Sequence, residues 1–181
     1  TKIAPHLLAD GGKVYSGQLR LGLTTDTWDI QGEVLAESPW QQVTEADVRA
    51  RNIQVTLDVA PDLPPVRVNV ERLTQALLNL VLDAVQTMGE GGHLHVGARL
   101  SPDGRNFSLS VRDNGPGIPA SALPRLCERF FRVNPQQGDG VGLGMAIVSR
   151  IAQLHGADLD VHNRPQGGLE VSVWLPLPPE K

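Results

Sequence analysis

The sequence predicts an α+β fold: a mixed sheet with its helices on one face. Three observations carry that expectation. Of the 181 residues, 40% are apolar, enough for a globular core and too many for wholesale disorder. After position 50 the segments run strand, helix, strand, strand, helix, strand, strand, which is not a βαβα repeat. The clearest helical stretch, after Asn69, has an apolar stripe at helical spacing, so it has one face to bury.

Taken in order, the chain opens on a stretch rich in Gly, Thr and Asp. Residues 13–21 alternate as a strand, with Tyr15, Leu19 and Leu21 on one face. Gly22 and the cluster Thr24-Thr25-Asp26-Thr27 are expected to break it. Residues 29–32 read as a turn and 33–36 as a return strand. Thr44, with Asp47 three residues on, predicts a short capped helix over 44–50. Fifty such residues bury too little apolar surface to be stable alone. They form a first, β-rich segment, 1–50, ahead of a domain over 51–181.

In that domain, residues 53–59 alternate as a strand, closed by Pro61, Pro64 and Pro65. Asn69 is a helix cap, Glu71 lies in the first turn, and Leu73, Leu77, Leu80, Val81, Ala84 and Met88 form the stripe. Gly89, Gly91 and Gly92 end the helix. Strands follow at 93–100 and 107–111, joined by Ser101-Pro102-Asp103-Gly104. A Gly/Pro-rich loop covers 113–119, a short helix 121–129, and a polar loop 134–140. A second long helix runs over 143–154, capped by Gly156. Strands 158–163 and 169–175 close the chain as a hairpin over Pro165-Gln166-Gly167-Gly168.

Composition excludes several functions. No apolar run approaches the roughly 20 residues needed to cross a bilayer, so no membrane partner is expected. The opening residues Thr1 to His6 lack signal-peptide architecture. The single cysteine, Cys127, rules out an internal disulfide and suits a reducing, cytoplasmic location. Net charge is −4 and aromatics are 4%, so nucleic acid is not an expected partner.

Four features bear on chemistry. Asn79 and Asp83 lie one turn apart on a helix face, where an amide oxygen and a carboxylate could hold a hard cation such as Mg²⁺; a solvated helix face carries the same pair. Asp113-Asn114-Gly115-Pro116-Gly117-Ile118 follows a strand. Its carboxylate could accept from an exocyclic amine, and its glycines admit a flat ligand close to the backbone; an ordinary turn uses the same residues. Gly138 to Gly144 runs glycine-rich into a helix, leaving N–H groups open to phosphate. It has neither the Lys-Ser/Thr of a Walker loop nor the preceding strand of a dinucleotide fingerprint. Arg129-Phe130-Phe131-Arg132 offers charges for phosphate and aromatics for a lid; core aromatics with surface arginines read the same way.

In series, the four features resemble the catalytic and ATP-binding domain of bacterial sensor histidine kinases, in the GHKL ATPase superfamily, over 51–178. Residues 77–85 are similar to the N box, 113–118 to the G1 box, 128–133 to the F box and 140–148 to the G2 box. The resemblance implies a two-layer α/β sandwich of the Bergerat type that binds ATP and Mg²⁺. It implies Asn79 and Asp83 as catalytic, magnesium-binding residues. Asp113 would meet the adenine amine, and Gly115, Gly117 and Ile118 would line the base pocket. Phe130, Phe131 and Arg132 would belong to the lid, and Gly140, Gly142, Leu143 and Gly144 would wrap the triphosphate. The family has asparagine where this chain has Asp83, which sets a second negative charge beside the triphosphate. Cys127 replaces a usual phenylalanine and reads as a small packed residue.

The same resemblance implies transfer of the γ-phosphate to a histidine on a separate dimerisation domain, a response regulator downstream, and room for a homodimer. None of His6, His93, His95, His155 or His162 sits in a phosphoacceptor context. A catalytically impaired nucleotide-binding or interaction module is the alternative. Within 1–50, the run from Lys13 through Gly32-Glu33-Val34 resembles bacterial tRNA pseudouridine synthases of the T-loop type. The Gly-x-Leu-Asp-Pro context of their catalytic aspartate is missing, and Asp10, Asp26 and Asp29 read as turn residues. No pseudouridine synthase activity is expected, and a chimera joined near Ala50-Arg51 is.

Overall fold

The computed structural model describes residues 23–25, 34–37, 51–134 and 141–177. The expected strand over 13–21, the helix over 44–50 and Gly140 lie outside the described residues. In the first segment, β1 (Leu23–Thr25) pairs antiparallel with β2 (Val34–Glu37). This corrects one expectation: Thr24 and Thr25 belong to a strand instead of breaking one, as β-branched residues favour.

The remaining strands are β3 (Gln54–Val59), β4 (His93–Leu100), β5 (Asn106–Arg112), β6 (Asp158–Asn163) and β7 (Leu169–Pro176). They form one five-stranded sheet in the order β3-β4-β5-β7-β6. β3 runs parallel to β4 and every other pair is antiparallel, so the sheet is mixed. Alternation sets its two faces. Leu57, Val96, Val111, Val171 and Val161 stand in one row across all five strands. The adjacent residues Asp58, Gly97, Ser110, Ser172 and Asp160 form a small, polar row on the opposite face.

Both long helices cover the apolar face. Helix α1 (Val70–Thr87) starts at Asn69, whose side chain accepts from the Arg72 N–H at 3.0 Å. It buries Leu77, Leu80, Val81, Ala84 and Val85. Helix α2 (Gly144–Leu154) buries Ile147, Val148 and Ile151 against the same core, and Gly156 with φ +61° follows its end. His155 couples the two helices: its Nε2 accepts from the Asn69 N–H at 3.0 Å while its Nδ1 donates to Ile151 O at 2.8 Å. The helix expected over 121–129 is reduced to a single 3₁₀ turn, Leu123–Arg125. Pro124 contributes to this, since it lies inside the expected helix and cannot donate to a continuing helical ladder.

The helices stop short of β3 among the described residues. Val55, Leu57 and Val59 are 37, 39 and 59% exposed, although their neighbours Leu94, Val96 and Ala98 are buried.

Candidate nucleotide-binding site

The loop after β5 begins with Asp113, which is buried. Its Oδ1 accepts two backbone N–H groups, from Gly115 at 2.8 Å and from Leu169 at 3.2 Å. Its Oδ2 has no partner among the described residues. The carboxylate is therefore held rigidly by one oxygen and presents the other. Gly115 lies against the last turn of α1: a Cβ there would meet Asp113 Oδ1 at 2.9 Å, Thr87 O at 3.6 Å and Met88 Cγ at 3.7 Å. Gly117 takes φ +72°, the left-handed region that favours glycine. The loop is pinned at its start as well, because Asn114 Oδ1 accepts from the His93 N–H at 2.8 Å.

The middle of α1 supplies Asn79 and Asp83. Asn79 is buried, and its Nδ2 has no hydrogen-bond partner among the described residues. A buried amide without a partner is uncommon and points to a ligand that completes it. Asp83 is half-buried, with its carboxyl group against the start of α2: a Cβ on Gly144 would lie 2.6 Å from Asp83 Oδ2 and 2.9 Å from Oδ1. Burial pushes its pKa up from 3.8 to about 7. Leu143 caps α2 without a side-chain hydrogen bond, and the first turn holds no acidic residue. Among the described residues no capping side chain takes the N–H groups of that turn, a geometry that suits an anion.

Residues 130–132 pack on the loop entering α2. The Phe130 N–H donates to Gly142 O at 2.9 Å, and a Cβ at Gly142 would sit 2.7 Å from Phe131 O. Phe130 takes φ +63° and is 59% exposed, so a bulky residue is held in a costly conformation facing solvent. Arg125 stacks over the Phe131 ring at 4.4 Å. Cys127 is half-buried; burial pushes its thiol up and the Ser149 hydroxyl pulls it partly back, as in a packed, unreactive cysteine.

These contacts chain together. The 113–118 loop touches the end of α1, Asp83 on α1 touches Gly144, and Gly142 touches Phe130 and Phe131. Asp113, Gly115, Gly117, Ile118, Asp83, Phe130, Phe131, Arg132, Gly142, Leu143 and Gly144 thus belong to consecutive stretches of one connected surface, with Asn79 one turn before Asp83. Sequence reasoning missed the far side of this surface. Asn163, Arg164 and Gly168, in the β6–β7 turn, clamp the 113–118 loop. The paired Gly167-Gly168, both at positive φ, were the signal that this turn makes a close approach. His93 and His95, two apart on β4, meet no third ligand: no group of three His, Cys, Asp or Glu among the described residues could hold a metal.

The family described as histidine kinase-, DNA gyrase B- and HSP90-like ATPases matches residues 68–179. The chain is 35% identical over 136 residues to the sensor histidine kinase ZraS of Escherichia coli, covering 75% of this chain and 28% of that one. It thus spans less than a third of that relative's length. Among solved structures, the catalytic domain of the histidine kinase ThkA superposes with a TM-score of 0.63 at 26% identity, covering 73% of this chain and 84% of that one. Full-length ShkA in complex with AMPPNP gives a TM-score of 0.62 at 31% identity, covering 89% of this chain and 32% of that one. Separately, a 50-residue stretch is 70% identical to tRNA pseudouridine synthase B of Nitratidesulfovibrio vulgaris, covering 28% of this chain and 16% of that one.

Proposed function

Because the chain belongs to the family of histidine kinase-, DNA gyrase B- and HSP90-like ATPases, we propose that its connected surface binds ATP with Mg²⁺ and presents the γ-phosphate to a histidine on a separate dimerisation domain. The observation that carries this reading is the half-satisfied carboxylate of Asp113. One oxygen is saturated by the Gly115 and Leu169 N–H groups, and the other is left to accept from the adenine amine. The adenine ring lies along the backbone of Gly115 and Gly117, whose missing side chains let the loop pack closely on its supports. The N–H groups at the start of α2 receive the phosphates.

The donor set fits magnesium. Asn79 and Asp83 offer hard oxygen atoms one turn apart, and two protein ligands are what Mg²⁺ takes when phosphates and water supply the rest. When bound, the ion neutralises the charge that builds on the phosphoryl oxygens during transfer. Phe130, Phe131 and Arg132 form the base of a lid, and Arg132 adds a positive charge near the phosphates.

Asp83 favours a second reading. Its carboxylate brings negative charge where the family carries a neutral amide, so the domain could retain nucleotide and transfer phosphate poorly. Titrating ATP with and without Mg²⁺, then adding a histidine-bearing dimerisation domain, separates the two. Magnesium-dependent binding with transfer supports the kinase; binding without transfer supports the impaired module. No binding at all overturns both.

The parent protein would act on a response regulator, work as a homodimer and reside in the cytoplasm. No helix among the described residues is long and apolar enough to cross a membrane. The stretch similar to tRNA pseudouridine synthase B supports reading residues 1–50 as a fused piece without activity of its own.

A further inference from the structure

We propose that Asn163 and Arg164, in the turn between β6 and β7, are positioning residues that set the purine-recognition loop 113–118 from behind. The inference rests on the reading of that loop as the adenine site, and adds what fixes its shape.

The turn holds both ends of the loop. At the far end, Asn163 treats Ile118 as a strand would. Its Oδ1 accepts from the Ile118 N–H at 2.9 Å, and its Nδ2 donates to Ile118 O at 2.6 Å. At the near end, Arg164 donates from NH1 to Asp113 O at 2.7 Å. The backbone of the same turn completes the grip: the Asp113 N–H donates to Leu169 O at 3.0 Å, and the Leu169 N–H donates to Asp113 Oδ1. Gly168, with φ +86°, approaches so closely that a Cβ would fall 2.0 Å from Asp113 O. A Cβ at Gly117 would fall 2.8 Å from Asn163 Oδ1.

Neither side chain reaches the ligand surface through these bonds, since both are spent on loop backbone. Asn163 is exposed and Arg164 half-buried, so their interest lies in direction more than in burial. Arg164 and Leu169 fix where Asp113 sits, and hence where its free oxygen points. Asn163 fixes the other end, and hence the width of the gap that a flat base enters. A base-recognising carboxylate needs its geometry held to a fraction of an ångström. Loosening the turn should therefore injure recognition of the base amine more than grip on the phosphates.

The test compares Asn163→Ala, Arg164→Ala, Arg164→Lys and Asp113→Asn in the full chain. It measures affinity for ATP and for GTP, which lacks the amine at that ring position, along with thermal midpoint and the Gly115 and Gly117 amide NMR signals. The expected result is a loss of roughly fivefold to tenfold in ATP affinity for each alanine variant. GTP affinity should change less than twofold, the two glycine amides should shift, and Arg164→Lys, which keeps a donor, should recover part of the loss. Equal losses for ATP and GTP, or unchanged ATP affinity in folded alanine variants, overturn the inference. Should Asn163→Ala fail to fold, Asn163→Asp takes its place, keeping the acceptor and setting an oxygen against Ile118 O, with the same outcomes. If Asp113→Asn weakens ATP while the turn variants do not, only the positioning role falls. If Asp113→Asn also leaves ATP unchanged, the adenine site itself is misplaced.

Discussion

Asp83 and Gly144 occupy each other's space: the Asp83 carboxyl group lies where any side chain at position 144 would have to begin, 2.6 Å from the expected Cβ. The contact joins the middle of α1 to the first residue of α2. A side chain at position 144 would require the Asp83 carboxyl group to move aside. The contact also places a desolvated carboxyl beside a helix end that favours anions.

That contact predicts a pH dependence. The Asp83 carboxyl titrates near 7 in the fold against an ordinary 3.8, so the fold accommodates its protonated form better than its charged form. Its contribution to stability is fully present below pH 3.8, declines as pH rises toward 7, and is gone above. Asp83→Asn should match the parent in urea midpoint near pH 4 and exceed it at pH 8. A gap that does not widen with pH would show that the charge is not the cause. Mg²⁺ should raise the parent's midpoint at pH 8 and have less effect on the variant.

Asp113→Asn should spare the fold, because an amide oxygen can still accept from the Gly115 and Leu169 N–H groups. It replaces the presented oxygen with an NH₂ that opposes the base amine. ATP affinity should fall by about 2 kcal/mol, roughly thirtyfold, with the thermal midpoint moved by a few degrees at most. Calorimetric titration beside a melting curve checks both halves, and a large melting shift would mean that the residue is chiefly structural.

Gly168→Ala should be far more damaging than Gly104→Ala, although both glycines have positive φ in hairpin turns. The Cβ of the first would collide with Asp113 O, while nothing lies within 4 Å of the second. We expect about 1 kcal/mol for Gly104 from backbone strain alone. For Gly168 we expect above ~3 kcal/mol, with loss of nucleotide binding. Urea unfolding of both variants decides it, and similar losses would refute the close approach.

His155→Ala should cost about 1–2 kcal/mol by cutting the link from the Asn69 N–H to Ile151 O. Hydrogen exchange at the Asn69 amide should accelerate in the variant. An unchanged rate would mean that the helix start is held by its other contacts.

Much of the fold is legible in the sequence where one physical signal dominates. Helix α1 announces itself through the Asn69 cap and a stripe of six apolar residues at helical spacing, and β3 through alternation closed by prolines. The 3₁₀ turn at Leu123–Arg125 was less legible, because local propensity over 121–129 is helical while Pro124 withholds a donor that a longer helix needs. Thr24 and Thr25 read as breakers only when their partner β2 is ignored, since strand pairing is non-local. The near side of the candidate site is visible as four motifs in series. Its far side was hidden, because Asn163 and Arg164 act through bonds to backbone 45 and 51 residues away in the chain. Only the Gly167-Gly168 pair marks that approach locally.

The two β-hairpin turns of the second domain look alike on paper, each a Pro-and-Gly connector, yet they are not interchangeable as places to attach something. Ser101 to Gly104 touches little beyond itself, so a dye, an affinity tag or a few inserted residues there should leave the protein working. Residues 163–169 are in effect the rear wall of the proposed cleft. A reporter grafted onto them would register nucleotide only by spoiling the fit it was meant to observe.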